Sequence, residues 1–126
     1  MCDTNFHNHH YHHYHRISPF KGIVHLAILN IIREKPVYGS EIYRILRDNY
    51  GLDIPAPLVY TLLRRMERRG LIISEWKTEE TGPVKRIYRL TDEGLEYLRD
   101  SINRLRKIKE IIDNLLSKTE ALSLDI

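Results

Sequence analysis

The stretch Ile54–Gly70, IPAPLVYTLLRRMERRG, constrains this chain more than any other. At helical spacing, Leu58, Val59, Leu62, Leu63 and Met66 fall within one arc of roughly 140°. An apolar arc of that width is a core face, so the segment reads as a helix laid against other elements. Its opposite side carries Tyr60, Thr61, Arg64 and Arg68, with Glu67 beside Tyr60 and with Arg65 and Arg69 on the flanks. A helix buried on one side and rich in cationic donors on the other suits phosphate oxygens and the edges of bases. Charge distribution points the same way. From Pro55 to Arg89 there are eight cations against four acids, a surplus of +4, while the whole chain is only +3. Positive charge gathered in one segment favours a polyanionic partner over general solubility. The plainer alternative is a solvated helix face.

The neighbouring segments supply a setting for such a helix. In VYGSEIYRILRDNYG, Gly39 and Ser40 open a second helix whose Ile42, Ile45, Leu46 and Tyr50 are spaced for one buried face, and Gly51 closes it. Pro55 and Pro57 are tolerated in a first turn, so the third helix is expected to begin about there. Two helices joined by a short turn, the second cationic outside, make a helix-turn-helix. After Gly70 the period changes. LIISEWK and VKRIYRL are short and rich in β-branched and aromatic residues, and a polar stretch, TEETGP, separates them. That predicts a β-hairpin wing with Lys85 and Arg86 next to its tip. Trp76 and Tyr88 read as core residues beneath the hairpin.

Two further helices flank this unit. Ser18 followed by Pro19 predicts a capped start, and Lys35 before Pro36 ends the helix near Glu34. Its apolar residues run nearly all the way round, which calls for a second subunit over Ile23 and Ala27. His25 in this helix reads as a buried or interface histidine. Thr91 predicts the cap of a last helix, with Asp92 and Glu93 in its first turn. Gly94 in that turn costs up to ~1 kcal/mol against alanine, and no local reason for it is visible in the sequence. From Leu98 the apolar positions continue through Ile102, Leu105, Ile108, Ile112, Leu115 and Leu116 at spacings of three or four. A helix to about Lys118, roughly 40 Å long, outruns a small domain, and its stripe is matched most simply by the same helix of a second chain. The expected fold is α+β, mainly α: a winged helix-turn-helix over residues 17–90, a long C-terminal dimerisation helix over 91–118, and frayed residues 119–126.

Residues 1–16, MCDTNFHNHHYHHYHR, stand apart in composition and read as a disordered tail. His7, His9, His10, His12, His13 and His15 place six imidazoles in nine positions. Imidazoles that are mostly neutral at pH 7 are ready ligands for Ni, Zn or Cu, and Cys2 could add a thiolate, yet the spacing fits no fixed tetrahedral site. A metal-responsive tail, a solvated tail with incidental affinity and an expression artefact all remain open readings. The single cysteine gives no disulfide framework, no apolar run reaches the ~18 residues of a membrane span, and no signal peptide is visible, so the expected location is the cytoplasm. No Ser/His/Asp grouping, phosphate-cradling glycine loop or HExxH occurs, so an enzyme is not expected and no cofactor is required.

The order of elements resembles the PadR family of prokaryotic transcriptional regulators over roughly Ile23 to Arg99. The resemblance rests on VYGSEI, which includes Tyr38 and Ser40, on VYTLLRRMERRGLI, and on GPVKRIYRLTDEG. It implies a dimeric winged helix-turn-helix, usually a repressor, that binds a pseudo-palindromic site in double-stranded DNA and responds to a small molecule near the dimer interface. The C-terminal region is similar to the subfamily with one C-terminal helix. By this resemblance Tyr60 is the recognition-helix tyrosine and Lys85 with Arg86 the basic pair of the wing. Thr61 stands where the family often has proline, and Ala56 to Leu58 depart from its usual small and hydroxylated residues. The expected DNA-binding set is Tyr38, Ser40, Tyr60, Thr61, Arg64, Arg65, Arg68, Lys85 and Arg86. Two readings of another class stand beside it, a metal-handling module built on the histidine tail and a winged domain that binds only protein.

Overall fold

The fold was described in a computed structural model, which covers residues 19–78 and 82–124. Its elements are α1 (Pro19–Glu34), β1 (Val37–Tyr38), α2 (Gly39–Tyr50), α3 (Ala56–Arg68), β2 (Ile72–Lys77), β3 (Lys85–Leu90) and α4 (Asp92–Leu124). α1 forms the centre. Its Ile28 and Leu29 are fully buried, and it packs against α2, β3 and the start of α4. His25 is half-buried there. The Ser18 cap lies outside the described residues.

Pro36 stops α1, and the two residues after it turn into an edge strand that sequence periodicity did not reveal. Val37 pairs with Tyr88 and Tyr38 with Ile87, giving an antiparallel sheet in the order β1-β3-β2. α2 begins at once, with the Glu41 carboxylate accepting the Tyr38 N–H at 3.0 Å. Its Ile42 and Leu46 are fully buried, as their spacing requires. Tyr50 is not part of that face: it is 40% exposed, because it ends the helix beyond the core, and its hydroxyl accepts a hydrogen bond from Asn30 Nδ2 at 2.9 Å. α3 starts at Ala56 behind Pro55, whose carbonyl accepts the N–H groups of Leu58 and Val59. Val59, Leu62, Leu63 and Met66 are buried on it, so the core arc expected from the sequence is realised, with Leu58 half-buried at its edge.

The hairpin register places Ile72 opposite Leu90, Ser74 opposite Tyr88 and Trp76 opposite Arg86. Alternation puts all six on the face turned toward α3. Along that face burial fades toward the tip. Tyr88 is 4% exposed, as expected of a core residue, but Trp76 is 62% exposed and is not one. The core ends before the strand does.

Thr91 ties three elements together. Its hydroxyl donates to the Gly70 carbonyl at 2.7 Å and accepts the Gly94 N–H at 2.9 Å, which is the helix cap read from the sequence. The structure also supplies the missing reason for Gly94. A Cβ there would overlap the Leu71 carbonyl oxygen and come within 2.7 Å of Leu90 Cδ1. Only glycine lets α4 leave so close to the start of β2.

α4 is longer than the sequence suggested, running past Lys118 to Leu124. Nothing in residues 119–124 breaks a helix, and the Thr119 hydroxyl donates back to the Leu115 carbonyl at 2.9 Å. Only its first part packs on its own domain, where Leu98 is buried and Ser101 is fully buried, its hydroxyl donating to the Tyr97 carbonyl. Beyond Ile108 the apolar stripe is bare: Ile112 is 44% exposed, and Leu115 and Leu116 are each 60% exposed. Among the described residues no helix is long and apolar enough to cross a membrane.

Candidate nucleic-acid interface

The N-terminus of α2, the outer side of α3 and the inner face of the wing enclose a concavity of about 510 Å³. Tyr38, Ser40, Tyr60, Arg64, Lys85 and Arg86 all line it. Six of the nine residues expected to meet DNA are thus brought together from four elements, β1, α2, α3 and β3.

Local chemistry sets each of them. Tyr60 projects from α3 across the start of α2, and it fits because residue 39 is glycine: a Cβ there would lie 2.6 Å from Tyr60 Cε1 and 3.3 Å from its hydroxyl. Gly39 has no positive φ, so room, not backbone freedom, is what it provides. Lys85 reaches back along the edge of β3 until its Nζ lies 5.5 Å from the centre of the Tyr38 ring, within range of a cation–π contact. Lys85 has no acidic partner among the described residues, and its charge faces solvent. Thr61 Oγ1 donates to the Pro57 carbonyl at 3.0 Å and accepts from Arg64 Nη2 at 3.3 Å. The exposed Arg64 guanidinium is therefore steadied from within its own helix.

Arg68 lies beside Arg64 and Glu67 in a shallower depression. Arg65 is exposed but lines neither hollow. Burial pushes the Tyr88 phenol above its usual pKa, the Arg86 charge works against that rise, and Glu67 adds to it. Tyr88 remains a neutral floor to the concavity.

Three participants were missed in the sequence. Glu67, on the recognition helix, accepts the Ser74 hydroxyl at 2.8 Å, and Ser74 in turn accepts Arg86 Nε at 2.6 Å, while the Arg86 guanidinium stacks 4.9 Å from the Trp76 ring centre. These contacts depend on strand register, which residue type alone does not announce. Arg44 and Arg47 of α2 were also passed over, although their i, i+3 spacing was readable. They line a polar groove with Ser40 and Lys85. Arg47 Nε donates to Asp48 at 3.0 Å, and this bond raises its pKa further above the ordinary arginine value.

On the opposite side, α1 and α4 flank a groove of about 580 Å³ lined by Ile23, Ala27, Leu98, Ile102 and Leu105, with Arg33 and Arg99 at its margins. These are five of the eight residues expected at a dimer interface. Ala27 and Leu98 are already buried within the chain, whereas Ile102 is 39% exposed. Ile108, Ile112 and Leu116 continue the stripe along α4 beyond the groove. The six histidines expected to hold metal lie outside the described residues, and among those described no group of three or more His, Cys, Asp or Glu could hold a metal ion.

A two-helix unit with a cationic second helix, completed by a three-stranded wing that lines the same hollow, defines a winged helix-turn-helix DNA-binding regulator. The model of the transcriptional regulator PadR-like family matches residues 28–100. The chain belongs to that family. An uncharacterised protein of Lysinibacillus sphaericus is 30% identical over 95 residues, covering 74% of this chain and 87% of its own length. Among solved structures, a proposed transcriptional regulator from Thermoplasma acidophilum is 34% identical, with a TM-score of 0.71 over 76% of this chain and 92% of that one. Bacillus subtilis PadR, solved with operator DNA, is 24% identical with a TM-score of 0.60, covering 64% of this chain and 46% of its own, a likeness of fold.

Proposed function

We propose that this regulator is a cytoplasmic homodimer that represses transcription by binding a pseudo-palindromic operator and is released by a small molecule held near the dimer interface. The observation that carries the reading is the pairing of two surfaces on one chain. One is a cationic hollow that joins Tyr60 and Arg64 to Lys85, and the other is an apolar stripe on α4 left bare from Ile112 to Leu122. Bacillus subtilis PadR, which shares this fold, was solved in complex with operator DNA, and that supports DNA as the partner.

In this reading Tyr60, Ser40 and Lys85 hold phosphate oxygens, and Thr61 and Arg64 reach base edges, with Tyr38, Arg65 and Arg68 beside them. Two copies of α3 about one DNA turn apart, ~34 Å, read the two halves of the site. The groove between α1 and α4, apolar within and flanked by Arg33 and Arg99, supports an effector site that a partner subunit would complete.

The test is fluorescence anisotropy on duplex DNA from upstream of the chain's own gene against scrambled duplex, with sedimentation of the protein alone. Tighter binding to the upstream duplex by a dimer is the expected result. No binding to either duplex at low salt, or a monomer at the binding concentration, refutes it.

Six imidazoles directly ahead of α1 support a second reading, in which Ni or Zn on the tail alters DNA affinity through the dimer. Metal must then change the anisotropy titration, and deletion of residues 2–15 must abolish the change.

A further inference from the structure

Glu67 is an acid on the face of the recognition helix that meets a polyanion, where a carboxylate opposes binding. The structure shows what it does instead. Its side chain is 31% exposed and both carboxylate oxygens lie 2.8 Å from Ser74 Oγ on β2. Arg86 on β3 donates from Nε to the same Ser74 oxygen at 2.6 Å, and its Nη2 lies 3.8 Å from Glu67 Oε2. The other face of the interaction is Trp76, whose ring centre is 4.9 Å from Arg86 Cζ. A continuous chain of contacts runs from α3 through β2 to β3, and Glu67, Trp76 and Arg86 line the concavity. Arg64, Lys85, Tyr38, Tyr60 and Tyr88 are the other charged or titratable groups lining that space.

We infer that Glu67, Ser74 and Arg86 form a clamp that fixes the wing against the recognition helix, and that Arg86 is a positioning residue, not a phosphate contact. The inference rests on the DNA-binding reading and deepens it. Four of the five guanidinium N–H groups stay uncommitted, but Nε bound to Ser74, a charge offset by Glu67 at 3.8 Å and a plane stacked on an indole fix where this side chain lies and leave less net charge to meet a phosphate. Lys85, one residue away and without an acidic partner among the described residues, is the wing's phosphate-binding cation. The clamp determines where it reaches. Exposed Trp76 is held as the clamp's outer plate, which accounts for a large aromatic ring at the wing's surface.

Two measurements test this, and the first needs no DNA. Trp76 is the single tryptophan of the chain, so its emission reports on the ring that Arg86 covers. In Glu67→Gln, a near-isosteric change, and in Ser74→Ala, acrylamide quenching of Trp76 rises toward the level of Arg86→Ala. Quenching unchanged from wild type in both, while Arg86→Ala raises it, overturns the clamp.

The second measurement uses the upstream duplex across a salt series. Glu67→Gln, Arg86→Lys and Arg86→Ala each weaken binding several-fold without flattening the salt dependence, and the Glu67→Gln/Arg86→Ala double variant loses no more than the worse single one. Lys85→Ala flattens the slope by about 0.9 per subunit. Tighter binding by Glu67→Gln, rescue by Arg86→Lys, or flattening by Arg86→Ala equal to that of Lys85→Ala overturns the assignment. If wild-type protein binds no DNA, the DNA-binding reading fails by itself, and the quenching result still decides whether the clamp exists.

Discussion

Gly39→Ala separates the stability of this fold from its function, because the three atoms nearest to the one it adds all belong to one functional side chain, Tyr60. The new Cβ would lie 2.6 Å from Tyr60 Cε1, about 1 Å short of the ~3.5–4.0 Å optimum between carbons. The Tyr60 ring, half-buried and packed at the edge of the core, is the part that yields. Turning it off its rotamer costs about 0.5–1.5 kcal/mol, and alanine in place of glycine in a helix returns up to about 1 kcal/mol. These nearly cancel, so the melting temperature should move by no more than about 4–8 °C. DNA binding does not enjoy that cancellation. If the displaced hydroxyl holds a phosphate, a hydrogen bond to a charged group worth about 1.5–3 kcal/mol is lost in each subunit, roughly a 10- to 150-fold drop in affinity per subunit. Tyr60→Phe, which removes the hydroxyl without crowding Gly39, should reproduce the loss. Circular-dichroism melting and anisotropy on the upstream duplex, run on the same samples, give both quantities. Wild-type affinity in Gly39→Ala would refute the role of Tyr60, and unfolding of Gly39→Ala would make Tyr60 a packing residue.

Gly94→Ala should destabilise the fold by about 1–3 kcal/mol despite the better helix propensity of alanine, measured by urea unfolding at fixed protein concentration; a more stable variant would contradict the close approach to Leu71. Arg64→Ala should lower discrimination between upstream and scrambled duplex, which is read as the ratio of their dissociation constants. Ile112→Glu with Leu116→Glu alters side chains that are 44% and 60% exposed in the single chain, so sedimentation should show a folded monomer in place of a dimer. Burial raises the Tyr88 pKa, so the stability tied to its neutral form is complete below about 10 and is lost as pH rises through the higher folded value. Thermal melts from pH 9 upward should therefore decline less steeply in Tyr88→Phe than in wild type.

The sequence alone determined the features that depend on near neighbours along the chain. The core arc of α3, the capped start of α4 at Thr91, the close of α2 at Gly51 and the two strands of the wing all rest on spacings of two to four residues or on one capping side chain. The family resemblance was legible for the same reason, since VYGSEI and GPVKRIYRLTDEG are local strings. Tertiary structure decided whatever required two distant segments at a common point. Two residues are too few to show a strand period, so β1 exists only because Val37 and Tyr38 meet β3. Trp76 alternates like a core residue, yet it is exposed because the core stops short of the hairpin tip. Gly94 had no local reason until Leu71 stood against it, and Glu67, read only as a neighbour of Tyr60, found its partners when strand register brought Ser74 and Arg86 to it. Periodicity tells which side of an element is buried; only packing tells how far along that side burial extends, and what waits where it ends.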